Sequence, residues 1–316
     1  MKFLRQSGSI TLKRLFILCA AALALAVYFV DSKRYAALLD RMIISAGQQN
    51  GVFVQVDNSD LSIFGYQAET IGLRPRKSLW GLKVDSLSAR PSLSALVNGK
   101  WGAHLDGMVY GGELDAALQG SFSGETVSGN LSLTQCNAAT YPLLEGLGFR
   151  KGSLDLQAKE FVLSQNQLQA GLFQVQFSQF EKPEASSLSL DSFGIPLEFQ
   201  LPEIRDLSGE ILCTLKQAEI LSCMLKAVAQ LLEIDGNFDF QIKQGQLLRI
   251  KAQGKATLLS VGIDTFAKYL PLISGGRLKE GDTRFRFDIQ GTPRAPRIVL
   301  DPVAPGEDVV STPQKG

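Results

Sequence analysis

Histidine is almost absent from this chain: His104 is the only one in 316 residues. With one histidine and four cysteines, a zinc centre or a Ser-His-Asp triad is poorly supplied. No G-x-S-x-G, H-E-x-x-H, Walker A or G-x-G-x-x-G pattern occurs either. An excess of either charge is also lacking. The 32 Lys and Arg against 31 Asp and Glu give +1, so there is no basic field to gather nucleic acid. The sequence therefore predicts no catalytic, cofactor-binding or metal-ligating residue and no nucleic-acid partner. His104 reads as a residue on a strand face. Asp85, Asp106, Asp115, Asp155 and Asp239 fall where strand alternation calls for a solvated side chain, which disfavours paired catalytic carboxylates. Arg284-Phe285-Arg286-Phe287 reads in the same way, with Arg outward and Phe inward. Apolar residues make up 45% and charged residues 20%, proportions that exclude a disordered chain.

What the chain does have is an uncharged apolar run, Leu15–Val30 (LFILCAAALALAVYFV), preceded by Lys2, Arg5, Lys13 and Arg14 with no acid among them. A helix of this length spans about 24 Å against a hydrocarbon core of roughly 30 Å. Snorkelling Lys13 and Arg14 and an interfacial Tyr28 extend its reach. The anchor residues are Leu15, Phe16, Leu18, Leu23, Leu25, Val27, Tyr28, Phe29 and Val30. Ala24-Leu25-Ala26 offers a cleavage site after Ala26, so a removed signal peptide is the alternative. Continuation of the run through Val30 favours the anchor. The positive-inside rule then leaves residues 1–14 as a cytoplasmic tail and exports everything beyond Val30.

Residues 31–50 read as an amphipathic helical stalk, with Tyr35, Leu38, Leu39, Met42 and Ile43 at helical spacing and Gly47 near its end. From Gly51 the apolar period switches to two. Roughly seventeen short strands and three or four short helices predict a mainly β fold over residues 51–301, divisible into halves at about 51–200 and 201–301. The sheet is expected to be long and largely antiparallel, either an open sandwich or a curled trough with the helices as lids. A Gly-polar-apolar device recurs at Gly112, Gly129, Gly152 and Gly236, and each reads as a turn opening a strand. Ala138–Leu147 reads as a short helix, as does Ile263–Ile273, which Pro271 limits. Trp80 and Trp101 precede glycines and read as turn anchors, and residues 302–316 read as a loose tail.

Two features of the strands bear on function. Phe173, Val175 and Phe177 share one strand face, and Phe238 and Phe240 share another. The apolar face they belong to is either ordinary core or a groove for acyl chains or a partner's strand. Cys213 and Cys223 face each other if residues 212–216 and 220–224 form a hairpin. They are then either a cross-strand disulfide or two small buried hydrophobes.

Three segments carry a family likeness: Leu87-Ser88-Ala89-Arg90-Pro91-Ser92-Leu93 leading to Leu96-Val97-Asn98-Gly99-Lys100, Tyr110-Gly111-Gly112-Glu113-Leu114, and the closing Gly291-Thr292-Pro293-Arg294-Ala295-Pro296-Arg297-Ile298-Val299-Leu300. With the basic start and single anchor, the chain resembles the type II secretion system protein N (GspN) family in its long form, related to AsmA-like envelope proteins. The likeness covers the layout of Tyr35–Asp301 and is weakest over Cys213–Glu233. It implies a bacterial inner-membrane protein with a periplasmic β-rich domain. Such a protein is a non-catalytic accessory of the secretion machine whose partners are the inner membrane and other type II secretion proteins. The AsmA-like side implies instead an envelope protein that binds or transfers phospholipid.

Overall fold

The computed structural model describes residues 32–49, 51–62, 65–76, 81–123, 126–137, 140–141, 144–145, 148–164, 167–183, 186–189, 198–201, 203–216, 219–243, 246–292 and 295–303. The expected anchor Leu15–Val30, Trp80, most of the expected helix at Ala138–Leu147 and the tail beyond residue 303 lie outside these. Among the described residues no helix is long and apolar enough to cross a membrane. The fold is mainly β, with antiparallel strands and a few short helices. It divides into two compact units, Met1–Pro91 and Ser92–Gly316. The division falls after residue 91. Pro91 ends a strand and the next residues turn into a helix, whereas pairing of strand Gln167–Lys182 with strand Ile204–Lys216 carries one sheet across residue 200.

In the first unit, helix α1 (residues 32–49) precedes a meander of β1 (Val52–Ser62), β2 (Gly65–Pro75) and β3 (Leu82–Pro91). Sequence alternation breaks at Asp57–Ser59, which splits β1 into two expected strands. The structure keeps it whole: Asn58 takes φ 49°, and pairing with β2 holds the same register on both sides of it, Asp57 opposite Thr70 and Ser59 opposite Ala68. Tyr66, Ala68 and Ile71 form the core, against which Leu39 and Ile43 of α1 and Val54, Val56 and Leu87 pack. A Cβ at Gly47 would run into the Val54 side chain, so glycine lets the end of α1 lie close to β1.

Asp40 fixes α1 at its middle. Its carboxylate accepts from Tyr66 Oη at 2.6 Å and from Ser59 Oγ at 2.6 Å. Burial, then the hydrogen bond to Asp40 and the charge of that carboxylate, hold the Tyr66 phenol well above its ordinary value. A raised folded-state value makes the proton a stabiliser below about pH 10, the unfolded phenol's value, and that contribution is lost as pH rises beyond it. Tyr66→Phe is accordingly expected to cost about 1.5–3 kcal/mol, the worth of a hydrogen bond to a charged group, and to flatten the alkaline limb of the stability profile. Chemical denaturation at a series of pH values measures both effects.

The second unit opens with α2 (Leu93–Val97). One antiparallel sheet follows, built from β4 (Trp101–Val109), β5 (Gly112–Gly120), β6 (Thr126–Asn137), β7 (Lys151–Ser164), β8 (Gln167–Lys182), β11 (Ile204–Lys216), β12 (Ile220–Val228), β13 (Leu232–Lys243), β14 (Gln246–Leu258), β15 (Arg284–Thr292) and β16 (Ala295–Pro302) in that spatial order. Among the described residues, β9 (Ser186–Ser189) and β10 (Glu198–Leu201) pair only with each other. β4 and β16 lie at opposite ends of this order, so the sheet is open and not a closed barrel.

Bulges at Gln135, Glu160 and Gln179, each with positive φ, reset alternation within β6, β7 and β8. They explain why Phe161–Leu163 reads from sequence as a strand of its own, although it belongs to β7. The Gly-polar-apolar device opens a strand at Gly112 and lies at the start of β7 at Gly152, but Gly129 and Gly236 sit mid-strand. At those two positions neighbours take up the missing Cβ space: a Cβ at Gly129 would collide with Ala117 O and stand 2.9 Å from Leu118 Cδ2, and one at Gly236 would stand 2.8 Å from Phe287 Cζ.

The expected helix over residues 263–273 appears as α3 (Ser260–Phe266), a 3₁₀ turn (Ala267–Tyr269) and α4 (Leu270–Ile273). Leu270 and Leu278 form a buried cluster with Ala256, Leu258 and Phe285, covering the ends of β14 and β15. Arg284 and Arg286 are exposed, Phe285 is buried and Phe287 is half-buried, so the alternation points Arg out and Phe in.

Candidate functional site: a continuous apolar sheet face

In an antiparallel ladder directly paired residues share a face, so register shows how far one face extends. A first row of pairs reads Leu105, Ala116, Leu131, Ala158, Phe173, Cys213, Cys223, Phe238, Ala252, Ile289 and Ile298. A second, two residues along each strand, reads Gly107, Leu114, Leu133, Leu156, Val175, Ile211, Leu225, Gly236, Gly254, Phe287 and Leu300. Neither row contains a polar side chain from β4 to β16. At about 4.8 Å per strand they run for about 48 Å along the hydrogen-bonding direction.

The row on the opposite face reads Asp106, Asp115, Ser132, Gln157, Gln174, Leu212, Met224, Asn237, Gln253, Asp288 and Val299. That face is polar apart from Leu212, Met224 and Val299, and Leu172 stands nearby. Leu172, Leu212 and Met224 line a hollow of about 580 Å³ with Gln157, Lys159 and Asp239. His104 is exposed on the same polar face.

Burial separates the apolar rows from an ordinary core. Their buried members are small: Ala116, Ala158, Cys223, Gly236 and Ala252. Every large member, including Leu131, Leu156, Phe173, Val175, Ile211, Leu225, Phe238 and Ile289, is only half-buried. Lateral neighbours shade a small residue, but burying a leucine or phenylalanine needs a second layer. The α3–α4 segment supplies such a layer where Leu258 and Phe285 are buried. Leu131, Val175 and Leu225 belong to neither of the buried clusters found among the described residues.

The five residues singled out from sequence all sit here. Phe173 and Val175 lie in the two rows on β8. Phe177 lies on the same face, opposite Leu154 and Gly209. Phe238 and Phe240 lie on β13, their rings stacked with centroids 6.4 Å apart, and Phe238 also meets Phe287 at 6.1 Å. β11 and β12 separate the two aromatic groups, and the cysteines lie on those strands. Cys213 and Cys223 are joined in a disulfide with Cα atoms 4.0 Å apart. The residues missed from sequence, Leu131, Leu156, Ile211 and Leu225, become visible only once hairpin register aligns successive strands.

The disulfide closes a short hairpin, with its cysteines ten residues apart. On loop length alone it contributes about 2–3 kcal/mol by constraining the unfolded chain. The double variant Cys213→Ser/Cys223→Ser is expected to unfold about 5–10 °C lower by calorimetry, and reductant to lower the native chain by the same amount. The remaining described cysteine, Cys136, is buried, and burial pushes its thiol up; Sγ–H donates to Val109 O at 3.2 Å. Among the described residues no group of three or more His, Cys, Asp or Glu is placed to hold a metal.

No protein-family model, curated protein or solved structure matches the chain.

Proposed function

We propose that this chain is an exported, membrane-anchored binding protein of the bacterial envelope whose second unit holds phospholipid acyl chains on the apolar sheet face. The observation that carries this reading is the pair of unbroken apolar rows whose large side chains stay half-buried. An apolar surface of that extent is not left facing water without an occupant. Acyl chains suit it because the face offers apolar side chains without polar groups to select a more specific ligand. The opposite, polar face keeps the loaded protein soluble. The disulfide supports export, since such bonds persist in oxidising compartments, and the basic-flanked run Leu15–Val30 supports tethering to the inner membrane.

A second reading rests on the likeness of Leu87–Lys100, Tyr110–Leu114 and Gly291–Leu300 to the GspN family. In it the chain is a non-catalytic, periplasm-facing accessory of the type II secretion system, acting in assembly or scaffolding. Its deletion then leaves exoproteins in the periplasm while lipid composition stays normal. A lipid carrier instead changes outer-membrane permeability.

The direct test places a photo-crosslinking residue at Phe177 and, separately, at Phe240 in the full chain in cells. Capture of phospholipid at both positions is expected. Crosslinks only to other parts of the same chain would mean that the face is closed core.

A further inference from the structure

The polar face of the second-unit sheet carries a hollow whose floor is apolar. Leu172 on β8, Leu212 on β11 and Met224 on β12 stand on three adjacent strands and are 48%, 37% and 38% exposed. The alternation of this face otherwise places charged, amide and hydroxyl side chains there. The three residues floor the hollow of about 580 Å³, a volume within the range of ligand pockets. Exposed apolar groups rimmed by polar ones mark places where something binds.

The rim shows what kind of occupant fits. Lys159 on β7 pairs with Leu172, and Asp239 on β13 pairs with Ser222, so the two charges of the lining stand at opposite ends. Four strand spacings separate them, about 19 Å. Neither makes an ion pair among the described residues. Glu160 follows Lys159, and Lys251 faces Asp239 across the ladder, so each end charge is partly offset. Between the ends stand Gln157, Thr214, Ser222 and Asn237. None of these four makes a side-chain hydrogen bond among the described residues. Gln174 differs, since its Nε2 donates to Glu210 in the neighbouring row.

We propose that the hollow binds an extended peptide segment laid across the strands, with a carboxylate at Lys159, an ammonium at Asp239 and apolar side chains on Leu172, Leu212 and Met224. Six extended residues span about 20 Å, which matches the separation of the two end charges. A peptide also uses the rest of the lining, because its N–H and C=O groups pair with the amides and hydroxyls between the ends. An acyl chain would cover those polar groups without giving them partners, at a cost for each. The hollow lies on the face opposite the proposed lipid surface and adds a second, separate ligand.

The test uses the full chain in amphipol with isotope-labelled methionine methyl groups, read by nuclear magnetic resonance. The chain has four methionines, of which Met224 floors the hollow while Met42 and Met108 lie elsewhere. The probe is the hexapeptide Ala-Val-Leu-Ala-Val-Leu, free at both ends. It is expected to move the Met224 signal saturably and to leave Met42 and Met108 in place. Lys159→Glu and Asp239→Lys are each expected to weaken binding about fivefold, the upper worth of an exposed ion pair. Both residues are exposed, so these variants keep the fold. Acetylating and amidating the peptide ends is expected to weaken binding at least as much. A Met224 signal unmoved at millimolar peptide would overturn the proposal, as would equal binding of the blocked and free peptides. Displacement of Met224 by palmitate but not by the peptide would also overturn it, making the hollow a site for a single-chain lipid.

Discussion

Val175→Asp is expected to reduce phospholipid capture at Phe177 about tenfold or more while leaving the thermal midpoint within a few degrees of the native chain. Val175 lies in the second apolar row between Leu156 and Ile211 and is half-buried. A carboxylate there stays hydrated in the empty protein, so folding loses little. With an acyl chain laid over it, the same carboxylate must give up water without gaining a partner. A penalty of only 1.4 kcal/mol already amounts to about tenfold in binding, and desolvating a charge costs more than that. If the rows were sealed core, the order of effects would reverse: the variant would lose several kcal/mol of stability, as expected for an unpaired buried charge. Capture and calorimetry on one preparation therefore distinguish a working surface from a core.

Gly254→Val is expected to have the largest effect on stability, a loss of about 3–5 kcal/mol with the thermal midpoint lower by about 10 °C. Gly254 pairs directly with Gly236, and the Phe287 ring lies across both. A Cβ at Gly254 would stand 2.5 Å from Phe287 Cζ and 2.6 Å from Gly236 Cα, and would also collide with Asp235 O. Two of those three neighbours are backbone, so β13 and β14 must separate. Displaced, Phe287 also leaves the cluster of Ala256, Leu258, Leu270, Leu278 and Phe285 against which it packs. Gly281→Ala is the control, because nothing lies within 4 Å of its Cβ position. It is expected to change stability by no more than about 0.5 kcal/mol. Equal midpoints for the two variants would contradict this account of the glycine pair.

Much of the β architecture was legible because a strand with one wet and one apolar face writes that alternation into its sequence. β3, the Phe173–Phe177 stretch and Arg284–Phe287 are read directly in this way. So is the hairpin of β11 and β12, where the spacing that sets Cys213 opposite Cys223 matches the observed register. Positive-φ residues inside strands were illegible. Asn58 and Glu160 are polar residues at positive φ that shift the parity of the pattern without ending the strand. Gly129 and Gly236 misled for a related reason, since glycine marks both a turn and a place where a neighbour's side chain covers the backbone. The unit boundary at Pro91 and the departure of β9 and β10 from the main sheet depend on which strands meet, which no local pattern encodes. Openness of the apolar face was also beyond the sequence. Leucine and phenylalanine alternate identically over a core and over a groove, and only the half-burial of the large residues beside buried alanines separates the two.

The central claim, that the second unit carries an open face filled by lipid, is tested most directly by quantifying phospholipid that stays with the purified full chain. After extraction into amphipol and extensive washing, phosphorus analysis should find phospholipid in stoichiometric amount on the native chain and little on Val175→Asp. Phospholipid on the native chain no greater than on an anchor-only fragment covering residues 1–50 would contradict it.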